Sequence, residues 1–209
     1  MTTIASADGL ELEAAWTSPT AEVRGVVVFC HPHPLQGGTM NAPLMKAVTG
    51  VLADAGLWVL RFNFRGVGAS EGAWGEGIGE IEDVAGAMEA ATATRPDDPI
   101  AVAGWSFGAA TALHWQARTG STLPYAGIAP PVEMSTGGRL PDPESLQAAS
   151  RAFVIGDRDQ FTTVDDLTEY AEAAGAVTHV VPGSDHFFYF REQVVGAHLA
   201  DHLRSALEA

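Results

Sequence analysis

Pro99-Ile100-Ala101-Val102-Ala103-Gly104-Trp105-Ser106-Phe107-Gly108 joins a short apolar run to a G-x-S-x-G pentapeptide. The run has the length and apolarity of a buried strand. Ala109 to Ala117 reads as a helix closed by Gly120. Strand, tight turn and helix thus follow one another, with Ser106 at the turn. The flanking glycines have a steric reason. A serine on so sharp a turn holds a strained backbone angle, and a side chain at 104 or 108 would crowd it.

Outward from this turn, strands and helices alternate. Toward the N-terminus, Thr3 to Ser6 and Leu10 to Trp16 flank Ala7-Asp8-Gly9, a hairpin signal. Val23 to Cys30 reads as a strand, Asn41 to Ala55 as a helix with Asn41 as its N-cap, and Leu57 to Phe62 as a strand. Gly79 to Thr94 carries Ile81, Val84, Ala85 and Met88 at helical spacing. Toward the C-terminus, strands are expected at Tyr125 to Ala129, Ala152 to Ile155 and Val177 to Val181, and helices at Val164 to Ala174 and Glu192 to Leu207. This alternation predicts an α/β fold: a mainly parallel sheet, helices on both faces and a hairpin at one edge. Sites in such sheets form at the carboxyl ends of the strands. The segment from Pro130 to Ala149 is too short for a cap domain, so a minimal lid is expected.

The chain has 209 residues and is 46% apolar, which suits a single domain spanning 1–209 with a sizeable core. Its formal charge of −15 argues against nucleic acid or an anionic membrane as a partner. The expected partner is a small-molecule substrate. The one cysteine, Cys30, excludes an internal disulfide framework and reads as a small core residue. No apolar run approaches a membrane span, and Met1-Thr2-Thr3-Ile4 does not open like a signal peptide. A cytoplasmic location is the expectation.

Chemistry follows from residue order. Ser106 precedes Gly156-Asp157-Arg158-Asp159, which precedes Ser184-Asp185-His186. A serine hydroxyl needs a histidine to take its proton and an acid to orient that histidine. His186 is the expected general base. Asp157 and Asp159 both follow a strand and both qualify as the acid. Asp185 is too near His186 in sequence to reach its far ring nitrogen. The oxyanion hole should use the Phe107 N–H and one from the loop His31-Pro32-His33-Pro34-Leu35-Gln36-Gly37-Gly38. Pro32 and Pro34 have no N–H, which leaves His33 or Leu35. Leu35, Met40, Trp105, Met134, Phe161, Phe187 and Phe188 lie in or beside these loops and are candidates for an apolar pocket. His198 and His202 are spaced i,i+4, but no third ligand is apparent, so no metal is expected. No glycine run matches G-x-G-x-x-G, so no cofactor is expected either.

The chain resembles the compact bacterial serine hydrolases of the dienelactone-hydrolase-like group. The resemblance rests on H-P-H-P-x-x-G-G-T-M at His31 to Met40 and R-F-N-F-R-G-V-G-x-S at Arg61 to Ser70. It rests also on G-x-S-F-G at Gly104 to Gly108 and D-H-F-F at Asp185 to Phe188. It implies the α/β-hydrolase fold and a carboxylesterase-type activity on small esters. In that group the acid stands three residues after a glycine at the strand end, which selects Asp159. Asn63 stands where the group usually has Asp, and Arg65 is expected to hold nearby loops. A thioesterase, a non-hydrolytic enzyme on the same fold and an inactive binding module are the rival expectations.

Overall fold

A computed structural model describes residues 2–133 and 139–209. One eight-stranded sheet runs through them, in the order β1-β2-β4-β3-β5-β6-β7-β8. The strands are β1 (Thr2–Ala5), β2 (Glu11–Thr17), β3 (Gly25–Cys30), β4 (Leu57–Phe62), β5 (Ile100–Trp105), β6 (Tyr125–Ile128), β7 (Arg151–Gly156) and β8 (Val177–Val181). The β1–β2 hairpin pairs antiparallel onto β4, and every pairing from β4 to β8 is parallel. This is the α/β-hydrolase fold.

Helices α1 (Pro43–Asp54), α2 (Gly79–Thr94), α3 (Phe107–Thr119) and α4 (Val164–Ala173) lie between strands, and α5 (Glu192–Leu207) follows β8. Central strands bury both faces, so they read as unbroken apolar runs. In β3, Val26, Val28 and Cys30 face one core, shared with residues of α2, α3 and α4. Val27 and Phe29 face a second core, shared with α1 and α5. Period-2 alternation therefore divides one strand between two helical layers. No helix among the described residues is long and apolar enough to cross a membrane.

The start of α1 differs from expectation. Its N-cap is Ala42, with no side-chain cap, and Pro43 occupies the first turn. A proline at the first helical position fixes where the helix begins, because it already has the helical φ and needs no partner for an N–H. Asn41 lies outside the helix and donates its N–H to Thr39 Oγ1. In the segment 130–149 the described residues hold a Glu133–Arg139 bridge and a 3₁₀ turn at Pro143–Ser145. Arg65 binds Asp83 of α2 through its backbone N–H and its guanidinium, and reaches Asp8 of the β1–β2 hairpin at 2.8 Å. It ties helix and hairpin together on the edge of the sheet.

Candidate active site

The carboxyl ends of β3, β5, β6, β7 and β8 open on one cavity of about 560 Å³. Pro32, His33, Trp105, Ser106, Phe107, Gln160, Phe161, His186 and Phe187 are among its walls. Its volume suits a small organic ligand.

Ser106 sits between the last residue of β5 and the first of α3, with φ 53° and ψ −120°. Few side-chain-bearing residues tolerate that region, and strain of this kind persists only where neighbours hold it. They do so here. Ser106 N–H donates to Ile128 O at 2.8 Å, and its carbonyl accepts from Ala110 N–H. A Cβ at 104 would fall on Ala109 N, and one at 108 on the carbonyl oxygens of Cys30 and His31. Both flanking positions therefore require glycine.

His186 is buried in the loop after β8, with Asp159 in the loop after β7. His186 Nδ1 lies 2.8 Å from Asp159 Oδ2, and the two side chains are 5% and 1% exposed. An ionised carboxylate only accepts, so Nδ1 carries a proton, and in the neutral ring the lone pair is on Nε2. Asp159 Oδ1 accepts from the N–H groups of Phe161 and Thr162, which orients the carboxylate. Asp157 does other work. Its Oδ1 accepts from Gly183 N–H at 2.7 Å and Ser184 N–H at 3.2 Å, tying the β7 loop to the loop that carries His186. Asp185 Oδ1 accepts from Phe187 N–H and shapes that same loop. Trp105 Nε1 donates to His186 O at 3.3 Å, a further tether.

The oxyanion candidates separate. Phe107 opens α3, and its N–H has no partner among the described residues, as expected of a first-turn amide. His33 N–H likewise has none. Leu35 N–H donates to His33 Nδ1 at 3.2 Å, capping the 3₁₀ turn Pro34–Gln36. Leu35 is thus engaged elsewhere, and its side chain is 69% exposed and off the cavity wall.

Met40 is also not a wall residue. It is 1% exposed, its N–H donates to Asn63 Oδ1, and its carbonyl accepts from Arg61 Nη1. The loop folds back on β4 and draws Met40 into the core. Phe188 is fully buried among core residues as well. Trp105, Phe161 and Phe187 do line the cavity. Phe161 and Phe187 pack edge-on to the His186 ring, with centroids at 4.6 and 5.6 Å. Met134 lies outside the described residues. Gln160, Ala42, Gln36 and Pro131 are wall residues that sequence reasoning missed. Gln160 had a signal, since it adjoins Asp159 at a strand end. Pro131 lies in the segment expected as a minimal lid, and Ala42 had no signal.

Other histidines and the cysteine serve the scaffold. His31 is fully buried, accepts from Phe64 N–H at Nε2 and contacts Pro32 O through Nδ1. An N–H can only donate, so the ring is neutral with its proton on Nδ1. Burial pushes its pKa down to about 4. A folded pKa below the ordinary value of 6.5 stabilises the fold above pH 6.5, and that contribution drains as pH falls toward 4. By pH 5 the loss from this ring alone is expected to be about 2 kcal/mol. Urea unfolding at pH 7.5 and pH 5 measures it, and His31→Gln, though less stable, should show a flatter profile. Cys30 is fully buried, and burial pushes its thiol well above the usual range, so it is no nucleophile. His179 stacks on His198 at 4.6 Å, and His202 is half-buried. Among the described residues no three such side chains are grouped to hold a metal.

A strand-to-helix serine turn at the carboxyl edge of a parallel sheet defines an α/β serine hydrolase. The chain belongs to the family described as serine aminopeptidase, S33, whose pattern matches residues 21–178. It is similar to an uncharacterised protein of Rickettsia prowazekii, 30% identical over 207 residues, covering 92% of this chain and 84% of that one. Among solved structures it is similar to an α/β serine hydrolase homologue from Coxiella burnetii. That pair has a TM-score of 0.85 and 30% identity, with 97% of this chain and 96% of the other covered. It is also similar to a lidless α/β serine hydrolase from Xanthomonas campestris, with a TM-score of 0.85 and 27% identity over 100% of this chain and 94% of that one.

Proposed function

We propose that this protein is a carboxylesterase of the dienelactone-hydrolase-like group, cleaving small carboxylic esters through an acyl-enzyme. One observation carries the reading. Ser106 on its strained turn and His186, bonded at Nδ1 to Asp159, line the same cavity. His186 Nε2 takes the Ser106 proton as Oγ attacks the ester carbonyl. The Phe107 and His33 N–H groups receive the oxyanion, each contributing about 3 kcal/mol to the transition state. His186 returns the proton to the leaving alcohol. It then takes a proton from water, whose oxygen attacks the acyl carbon and releases the acid with Ser106 regenerated. The Asp159 carboxylate stays ionised and balances the imidazolium.

The aromatic walls favour an apolar acyl group, and the lidless Xanthomonas relative supports an open mouth. Each methylene adds at most about 0.8 kcal/mol, and only while it stays enclosed. Catalytic efficiency on p-nitrophenyl esters, taken below micelle-forming concentrations, should peak at short acyl chains and fall at long ones. A long-chain optimum would overturn the size argument. Matched oxoester and thioester pairs test the reaction class: faster thioester turnover would place the enzyme among thioesterases. Product analysis in labelled water tests hydrolysis itself.

A further inference from the structure

Trp74 belongs to none of the motifs around the cavity and does not line it. It stands in the loop between β4 and α2, yet its ring stacks on His33 with centroids 4.7 Å apart and planes 29° apart. The Phe107 ring closes the group, 5.1 Å from His33 and 5.2 Å from Trp74. Three rings from three separate segments therefore meet. Two of those segments carry the N–H groups without partners, at His33 and Phe107.

The Trp74 loop is itself held from within. Glu80, in the first turn of α2, is fully buried. Its carboxylate accepts from Gly75 N–H at 2.8 Å and Gly77 N–H at 2.9 Å. A buried carboxylate is costly unless hydrogen-bonded, so these contacts hold the loop firmly. The His33 ring is fixed on its other side, where Nδ1 accepts from Leu35 N–H. Flanked by Trp74 and Phe107 and capping its own turn, the ring cannot rotate without breaking a stack or a hydrogen bond. Its backbone is held with it.

We propose that Trp74 is a positioning residue for the oxyanion hole, acting through the His33 ring, with Glu80 holding Trp74 in place. This rests on the esterase reading for its catalytic consequence, but the physical link from Trp74 to the His33 turn does not. Oxyanion donors act in the transition state, so loosening one lowers kcat and leaves KM nearly unchanged. Misplacement by about 1 Å can cost about 100-fold.

The test uses Trp74→Phe, Trp74→Leu and Trp74→Ala. The phenylalanine keeps a stacking ring, the leucine keeps bulk without one, and the alanine keeps neither. Trp74→Phe should retain most of kcat. Trp74→Leu and Trp74→Ala should lose about 10- to 100-fold in kcat on p-nitrophenyl acetate, with KM within about twofold. Hydrogen exchange at the Leu35 amide should speed by about 10-fold or more in the leucine and alanine variants, because the turn it caps is released. If Trp74→Ala does not fold, Trp74→Leu decides. Unchanged Leu35 exchange overturns the proposal, as does a kcat retained by Trp74→Leu. Wild-type protein without ester turnover would overturn the esterase reading instead, and the exchange experiment would then decide the Trp74 link alone.

Discussion

Replacing Ser106 with alanine is expected to lower kcat/KM for p-nitrophenyl acetate by roughly 10⁶-fold, to the level left by binding and the oxyanion hole. The effect is this large because the change removes the attacking atom, and no neighbour replaces it. Cys30 is buried with a raised thiol pKa, and the other hydroxyls lack the turn geometry. The fold should survive. Among the described residues Ser106 Oγ makes no hydrogen bond, and the backbone contacts to Ile128 and Ala110 remain available to alanine. A thermal midpoint within a few degrees of wild type is expected. A fluorophosphonate should label wild type at Ser106 and leave Ser106→Ala unlabelled. Labelling at any other residue, or retained turnover, would remove the nucleophile from the mechanism.

Sheet strands were legible where burial on both faces left no polar residue to interrupt them. Val26 to Cys30 is such a case, and its strand identity follows from composition alone. The elbow was legible because sterics demand glycine on both sides of Ser106. The start of α1 departs from the capping preference of Asn41 because the fixed φ of Pro43 governs where the helix begins. The cavity walls were only partly legible. Loop residues carry no periodicity, so Leu35 and Met40 looked alike in sequence. Only the fold shows that Leu35 faces solvent, Met40 turns inward and Trp105 meets the cavity. The Trp74 loop holds a sequence motif that ends at Ser70, short of Trp74. Its informative residue was Glu80, an acid at the start of a helix whose side chain turns back to hold the preceding loop.

Asp159→Asn is expected to lower kcat by about 10⁴-fold, while Asp157→Asn should leave most of it. Both residues follow β7, two positions apart, and both are acidic, so charge near the site does not separate them. Hydrogen bonding does. Asp159 Oδ2 meets His186 Nδ1 at 2.8 Å. An asparagine there can turn its NH₂ toward Nδ1, which favours the tautomer with the proton on Nε2. That proton sits where the Ser106 proton must go, and the imidazolium loses its counter-charge. The amide can instead keep its carbonyl toward Nδ1, but then its NH₂ faces the N–H groups of Phe161 and Thr162. Donors would oppose donors in a buried place, at a cost of about 1–3 kcal/mol. Asp157 Oδ1 accepts only from Gly183 and Ser184 N–H groups, and an asparagine carbonyl does that equally well. The pH–rate profiles carry a second signature: wild type and Asp157→Asn should share one acidic limb, and residual Asp159→Asn activity should lose its shape. A crippled Asp157→Asn beside an active Asp159→Asn would move the acid to 157 and leave the 2.8 Å contact without a catalytic role.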